Sequence, residues 1–258
     1  VILLYICYKS METDTSMDAF RTRDTKWVDA VLDLNPGMLT EKEAMAKFYY
    51  YIAFPVQGVC RVLKRIGGSW IIRQVDGDKF VCMDNIQKGK KCLIYSFGVA
   101  NEYSFEQFMD TMGCEIHAYD PTVNHPAKLG DNIYFTKLGL SNTTAQDMDT
   151  LANILQKNSH TNDVIEYLKI DIEGHELPGF RDWIDTGALK NVNQMALELH
   201  LTKLHQGPRF IWLLEVLQDL YKMGFRVISH EVNMVIGPKE DGMYNLVEVV
   251  FMKDNIWN

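Results

Sequence analysis

From residue 91 onward, apolar runs of strand length alternate with helical segments, and this alternation limits the fold more than any other feature. CLIYSF (92–97) is a continuous apolar run closed by Gly98. A helix is expected over 105–112, then strands over EIHAYD (115–120) and NIYFTKLGL (132–140). A helix over 145–157, a strand over VIEYLKIDIEG (164–174), a helix near 176–186 and a strand over MALELHL (195–201) follow. The helix expected over 208–223 carries Trp212, Leu213, Val216, Leu217 and Leu220 on one face. Strands alternating with helices argue a parallel sheet covered on both faces. FRVISHEVN (225–233) and NLVEVVFMK (245–253) have no helix between them, so the chain should close on an antiparallel pair. That ending separates it from a plain dinucleotide-binding fold.

Residues 1–90 read as an extension packed on the core formed by 91–258. A helix over 13–33, capped by Thr13, Thr15 or Ser16, stops at Asn35-Pro36-Gly37. Thr40 and Glu43 form a capping box for a second helix that runs toward Pro55. RIGG (65–68) is a glycine turn, and IIRQVDGDKFVCM (71–83) reads as a hairpin turning at Asp76-Gly77. These elements are expected to cap an acceptor site. Tyr49, Tyr50, Tyr51, Phe54 and Trp70 either wall that site or bury the helices against the sheet.

The first eight residues, VILLYICY, have two readings. They are the tail of a signal peptide or membrane anchor, which places the protein in the secretory pathway or on a membrane, or they are a short strand or frayed end, compatible with a cytoplasmic protein. No apolar stretch reaches the roughly 18 residues of a full span. Cys7, Cys60, Cys82, Cys92 and Cys114 form no CxxC pair, so no metal cluster is expected. The four mid-chain cysteines are either buried thiols or two disulfides, with Cys60–Cys82 and Cys92–Cys114 as the candidate pairs. A net charge of −8 and a pI of about 5.4 argue against nucleic acid as a partner.

In an open α/β sheet, ligands bind beyond the carboxyl ends of the strands. The first such end presents Gly98 in SFGVANEYSFE (96–106), where the chain can turn tightly against a ligand. The second presents Asp120, 22 residues further on, where a nucleotide ribose offers two hydroxyls. Alternatively, Gly98 is a loop glycine and Asp120 caps its own Asp-Pro turn. The glycine fingerprint GxGxxG is absent, which weakens a nicotinamide or nucleotide-sugar enzyme. The segment LKIDIEGHE (168–176) decides more. Asp171, Glu173 and Glu176 gather at the end of an apolar strand, with Asp171 and Glu173 on one side by alternation. Lys169 is the only nearby cation in sequence, so these acids point to a ligand, a cation or donors rather than to structure alone.

LKIDIEGHE resembles the signature of FkbM-type S-adenosylmethionine-dependent methyltransferases. RIGG (65–68), DGDKFVC (76–82), CLIYSFGVANEYSFE (92–106) and GCEIHAYDP (113–121) together resemble the methyltransferase-like protein 24 group, over about residues 60–200. The resemblance implies a class I, Rossmann-like methyltransferase: a seven-stranded sheet with an antiparallel last strand, binding S-adenosylmethionine. It implies that Phe97, Gly98 and Val99 line the methionine and ribose part of the cofactor and that Asp120 holds the ribose hydroxyls. Leu140 and Ser141 would lie near the adenine, and Asp171 at the methionine end beside the transferred methyl. The first loop departs from the common pattern, with Gly98 as its one glycine before Asn101 and Glu102.

An alcohol acceptor needs a base. His200, in ELHL, is the best-placed candidate, with an ordinary pKa of about 6.5; Glu173 and His175 are the alternates. Asp171, Glu173, Glu198 and His200 are types that ligate divalent cations, but no metal motif is present and none is expected. His117, inside a strand, and His230, near the end of one, read as structural. The expected function is O-methylation of a sugar, glycan or small hydroxylated molecule. The alternative is a methyltransferase fold that has lost catalysis and serves as a binding module.

Overall fold

A computed structural model describes residues 31–53, 60–71, 74–201, 209–232 and 244–254. Contacts divide the chain after Leu34. Of the first unit only residues 31–34, the end of a helix and its turn, are described, so the helix expected over 13–33 lies almost wholly outside the described residues. The second unit, Asn35–Asn258, holds both the sheet and residues 35–90.

The main sheet has seven strands. Its parallel strands are β5 (Leu93–Phe97), β6 (Glu115–Tyr119), β7 (Ile133–Thr136), β10 (Tyr167–Ile170) and β11 (Gln194–His200). The chain then runs through β12 (Phe225–Val232) at the edge and returns as β13 (Leu246–Lys253). The order is β12-β13-β11-β10-β5-β6-β7, with β13 antiparallel to both neighbours. The antiparallel pair expected from the two adjacent terminal strands is therefore present, and so is the class I methyltransferase topology that the resemblance implies. β5, β10 and β11 are buried at every position, as strands covered on both faces are.

The helices are α1 (Glu41–Ile52), α2 (Ser104–Thr111), α3 (Leu151–Lys157), α4 (Glu176–Asp185) and α5 (Arg209–Lys222). The Thr40/Glu43 capping box closes the start of α1. Glu41 also accepts hydrogen bonds from the Phe210 and Ile211 amides, at 2.7 and 3.4 Å, and so caps the start of α5. Phe48 packs on Phe210 with ring centroids 5.5 Å apart.

Several expected boundaries move. The strand expected over 132–140 breaks after Thr136, and Gly139–Leu140 (β8) pairs instead with Met148–Asp149 (β9). The helix expected from 145 therefore starts at Leu151, where the Thr150 side chain accepts from the Asn153 amide. The strand expected over 164–174 ends at Ile170 because Glu173 (φ 57°) and Gly174 (φ 106°) turn the chain into α4. The hairpin expected at 71–83 is two nested pairs. β1 (Leu63–Ile66) pairs with β4 (Lys79–Cys82), and β2 (Ser69–Ile71) pairs with β3 (Gln74–Asp76). Gly67 and Gly68 (φ 80° and 85°) break β1 from β2, and a β-carbon on Gly67 would strike the backbone of Phe105.

This small layer docks on the sheet through side chains. Gln194 exchanges two 2.8 Å hydrogen bonds with the Cys82 backbone, and the Tyr167 hydroxyl donates to the Phe80 carbonyl at 2.7 Å. Of the two readings of the mid-chain cysteines, the structure takes the disulfides: Cys60–Cys82 and Cys92–Cys114, with α-carbons 5.8 and 4.5 Å apart. The second joins the residues that precede the adjacent strands β5 and β6.

Candidate active site

The carboxyl ends of β5, β6, β10 and β11 open into a cavity of about 780 Å³. Its geometry starts at Gly98. With φ 80°, Gly98 lies so close to the end of β10 that a β-carbon would fall inside the Asp171 carbonyl oxygen. The Gly98 amide donates to the Tyr119 carbonyl at 2.9 Å, and the Asp171 amide donates to the Phe97 carbonyl at 3.1 Å. These bonds lock the three strand ends together.

Asp120 lines this cavity at the end of β6. Its Oδ2 accepts from the Ala100 amide at 2.9 Å, and its Oδ1 accepts from the Thr122 amide and hydroxyl at 2.7 and 2.6 Å. Burial works to raise its pKa, but the Thr122, Ala100 and Val123 donors outweigh it and hold the carboxyl below its ordinary value. Asp120 thus caps its turn and also faces the cavity as a carboxylate. Gly98, Val99, Leu140 and Asp171 line the cavity too, as do Gly139 and Met148. Phe97 and Ser141 do not. The Phe97 side chain stacks on Tyr119, with ring centroids 4.9 Å apart, and the Ser141 amide pairs with the Asp149 carbonyl at 2.9 Å.

The acids are partnered across the fold rather than along the chain. Lys169 does not serve Asp171; its Nζ lies 3.2 Å from Glu106 on α2. The cation near Asp171 is Lys79 of β4, which is 2% exposed, with its Nζ 3.9 Å from Asp171 and 2.5 Å from Glu248. Burial pulls the Lys79 pKa down, but Glu248, Asp171 and Glu198 outweigh burial and raise it. Glu198, Glu248 and Glu231 stand directly opposite one another across β11, β13 and β12. Burial, then Asp171 and Glu248, raises the pKa of Glu198, and burial raises that of Glu248 against the opposing effect of Lys79. Arg65 of β1 meets the outer end of the row at Glu231, 2.9 Å away, and also pairs with Asp78.

His200, 5% exposed, lies at the end of β11. Its Nδ1 is 3.1 Å from Glu176 Oε1 and its Nε2 is 3.5 Å from Glu173 Oε2. Glu176, fully buried at the start of α4, also accepts from the Ile172 amide at 2.8 Å. Burial lowers the His200 pKa, but Glu176, Asp171 and Glu173 outweigh it and raise the value above 6.5. Oxygen and nitrogen atoms of Asp171, Glu176 and His200 lie within 4.8 Å of one another, close enough to share a cation, while His200 Nδ1 already pairs with Glu176. His175 lines the cavity as well.

The sequence reading missed Lys79, Glu102 and Glu248. Glu102 has a signal in hindsight, an acid four residues after Gly98. Its Oε1 accepts from the Ser104 amide at 3.1 Å, and its buried Oε2 has no partner. Gly77 packs directly over that oxygen, and both residues line the cavity. Of the two readings of the aromatics, the described ones do not wall the cavity. Trp70 is 79% exposed, Tyr51 is buried, and Tyr49 packs on Phe210; Phe54 lies outside the described residues. None of the four described aromatics lines the cavity.

A family profile described as a methyltransferase domain matches residues 13–245. The chain belongs to that methyltransferase family. The probable methyltransferase-like protein 24 of Homo sapiens is 26% identical over 126 residues, covering 44% of this chain and 34% of that protein. Its counterpart in Rattus norvegicus is 27% identical over 124 residues, covering 43% and 34%. The match thus spans about a third of the length of these curated relatives. Among solved structures, the Methanococcus jannaschii fibrillarin pre-rRNA processing protein is 13% identical, with a TM-score of 0.42 over 66% of this chain and 68% of that one. Sp1610 of Streptococcus pneumoniae, solved with S-adenosyl-L-methionine, is 14% identical, with a TM-score of 0.38 over 67% and 70%.

The cofactor of this methyltransferase domain is S-adenosylmethionine, and the residues present fit it. The absent β-carbon at Gly98 leaves room for close backbone approach, and Asp120 offers a carboxylate to hydroxyls. Leu140 and Met148 give an apolar wall. The orphaned Glu102 oxygen suits an ammonium group. Among the described residues no helix is long and apolar enough to cross a membrane.

Proposed function

We propose that this methyltransferase is catalytically active and methylates a hydroxyl of a sugar, glycan or small hydroxylated molecule, with His200 as the base. The observation that carries this reading is the Glu176–His200 pair on the cavity wall. A fully buried carboxylate bonded to Nδ1 fixes the ring, stabilises the imidazolium and turns Nε2 toward the cavity. Glu176 is then a positioning residue. Bound S-adenosylmethionine supplies an electrophilic methyl on its sulfonium. Asp120 holds the ribose hydroxyls, and Glu102 with Asp171 holds the ammonium end. His200 Nε2 removes the acceptor's proton, and Glu173, above it at 3.5 Å, orients the acceptor.

An RNA acceptor fits less well. Glu102, Asp171, Glu173 and Glu198 line the cavity, and a phosphate backbone would meet a negative wall on a chain of net charge −8. The LKIDIEGHE segment supports the FkbM type within this reading. The two disulfides support an oxidising compartment, as in the secretory pathway.

Labelled S-adenosylmethionine, a panel of free sugars and oligosaccharides, and calorimetric cofactor binding test it. His200→Asn should lower turnover roughly 10²–10⁴-fold while cofactor affinity survives. Because the His200 pKa is raised, wild-type rates should climb with pH through a value above 6.5. Glu176→Gln should move that limb to lower pH and reduce kcat. A folded His200→Asn enzyme with a normal rate removes the base. Cofactor binding with no transfer to any panel member favours the binding module.

A further inference from the structure

A second group of ligating side chains lies outside the cavity. Glu115 and His117 are two residues apart on β6 and so share a face. His160 sits after α3, in the turn that leads to β10. The ring centroids of His117 and His160 are 5.0 Å apart, and ligating atoms of all three residues lie within 4.8 Å of one another. None of the three lines the cofactor cavity.

We infer that Glu115, His117 and His160 form a site for a single zinc ion, held by two imidazoles and one carboxylate, that ties the start of β6 to the connection before β10.

The ligand spacing suits such an ion. Glu115 Oε1 is 2.8 Å from His117 Nε2 and 3.7 Å from His160 Nε2. Nitrogen and oxygen ligands about 2.0–2.1 Å from a tetrahedral ion stand about 3.3 Å apart, between those two values. Small side-chain rotations close the set.

The far side of each ring is already held. His160 Nδ1 bonds the Tyr95 hydroxyl at 2.8 Å, and His117 Nδ1 meets the Asn158 side-chain amide at 3.4 Å. That same amide reaches the Tyr95 and Tyr119 hydroxyls, at 2.9 and 2.7 Å. A half-turn of the Asn158 amide lets its oxygen accept from His117 Nδ1–H and from a tyrosine hydroxyl, leaving both Nε2 lone pairs facing Glu115. Outer partners that fix the tautomer of a ligating histidine in this way are the usual support of imidazole–metal sites. Tyr95 also stacks on His117, with centroids 5.1 Å apart, and holds the ring in place.

The donor set chooses the metal class. Two imidazoles and a carboxylate without a thiolate suit zinc rather than magnesium or calcium, which prefer oxygen cages. The Glu115 side chain is 47% exposed, so a fourth position faces water.

The test uses the full disulfide-bonded chain, stripped with chelator, dialysed and titrated with zinc chloride in a calorimeter. One ion per chain should bind at this site with a dissociation constant on the order of micromolar or tighter, and the melting temperature should rise with zinc. His117→Gln, His160→Gln and the exposed Glu115→Gln should each weaken that ion at least tenfold. His200→Asn should leave it in place, which separates this site from the Asp171–Glu176–His200 set. Cofactor affinity should be the same with and without zinc. If a histidine variant fails to fold, nitrogen-15 spectra of wild type decide. Zinc-induced shifts of both Nε2 signals support the site, and unchanged histidine nitrogens overturn it. Zinc binding that survives His117→Gln and His160→Gln together, in folded protein, overturns it as well.

Discussion

Replacing Lys79 by methionine isolates what residues 35–90 contribute to the site. The lysine is 2% exposed, with its Nζ 2.5 Å from Glu248 and 3.9 Å from Asp171. At an effective dielectric of about 20, charges at those separations attract by about 6–7 and about 4 kcal/mol. Burying the ions takes back several kcal/mol each, so the net worth is far below that sum. Removing the lysine alone leaves the carboxylates buried without their cation, and the expected loss is about 3–5 kcal/mol at pH 8.5. The pH dependence carries the sign. Burial, then Asp171 and Glu248, already raises Glu198 above the ordinary 4.5, and burial raises Glu248 against the opposing pull of Lys79. A carboxyl whose folded pKa is raised contributes stability that is fully present below its unfolded pKa and is lost as pH rises through the folded value. Without Lys79 those values rise further, so the deficit should shrink at pH 5.5 and grow toward pH 8.5. Urea unfolding of wild type, Lys79→Met, Glu248→Gln and the double variant at both pH values measures it. The double variant should recover at least about 2 kcal/mol relative to additivity. A Lys79→Met loss below about 1 kcal/mol at pH 8.5, or one that does not change with pH, refutes the account of a shared buried charge.

Gly98→Ala should destabilise the fold by about 1–3 kcal/mol and raise the dissociation constant for S-adenosylmethionine more than tenfold, because the strand ends must part to admit the methyl; unchanged affinity by calorimetry would show that this turn does not shape the pocket. Loss of the Cys92–Cys114 bond, which closes a separation of 22 residues, should cost about 3 kcal/mol of stability. Non-reduced mass analysis should find Cys60 joined to Cys82 and Cys92 joined to Cys114, and five free thiols would remove both disulfides.

The sequence shows the strand ends well because each is a local event. β5 and β6 fall within a residue of their expected bounds: β5 is a continuous apolar run buried at every position, and β6 is a short run closed by Asp120-Pro121. Gly98, Asp120, Asp171 and His200 are visible for the same reason: each ends such a run. The misses are of two kinds. β8 and β9 are two residues each and leave no periodic trace. The expected strand over 164–174 is too long because alternation was carried past Ile170, where Glu173 adopts φ 57°. Asp171 and Glu173 therefore share the cavity through a turn and not through a common strand face.

The partners of the acids were out of reach of local reading. Lys169 lies two residues from Asp171, yet it answers Glu106, while the lysine beside Asp171 comes from β4, far back in the chain. The expected cap of aromatics has the same fault. It assumed that the extension approaches the site with apolar surface, whereas the part that reaches the site is Gly77 and the neighbouring buried Lys79. A row of three glutamates across β11, β13 and β12 would repel itself apart if left alone. Arg65 and Lys79, from the paired strands β1 and β4, meet that row at Glu231 and Glu248. The small layer thus supplies the cations that answer the acids at the carboxyl ends of the sheet.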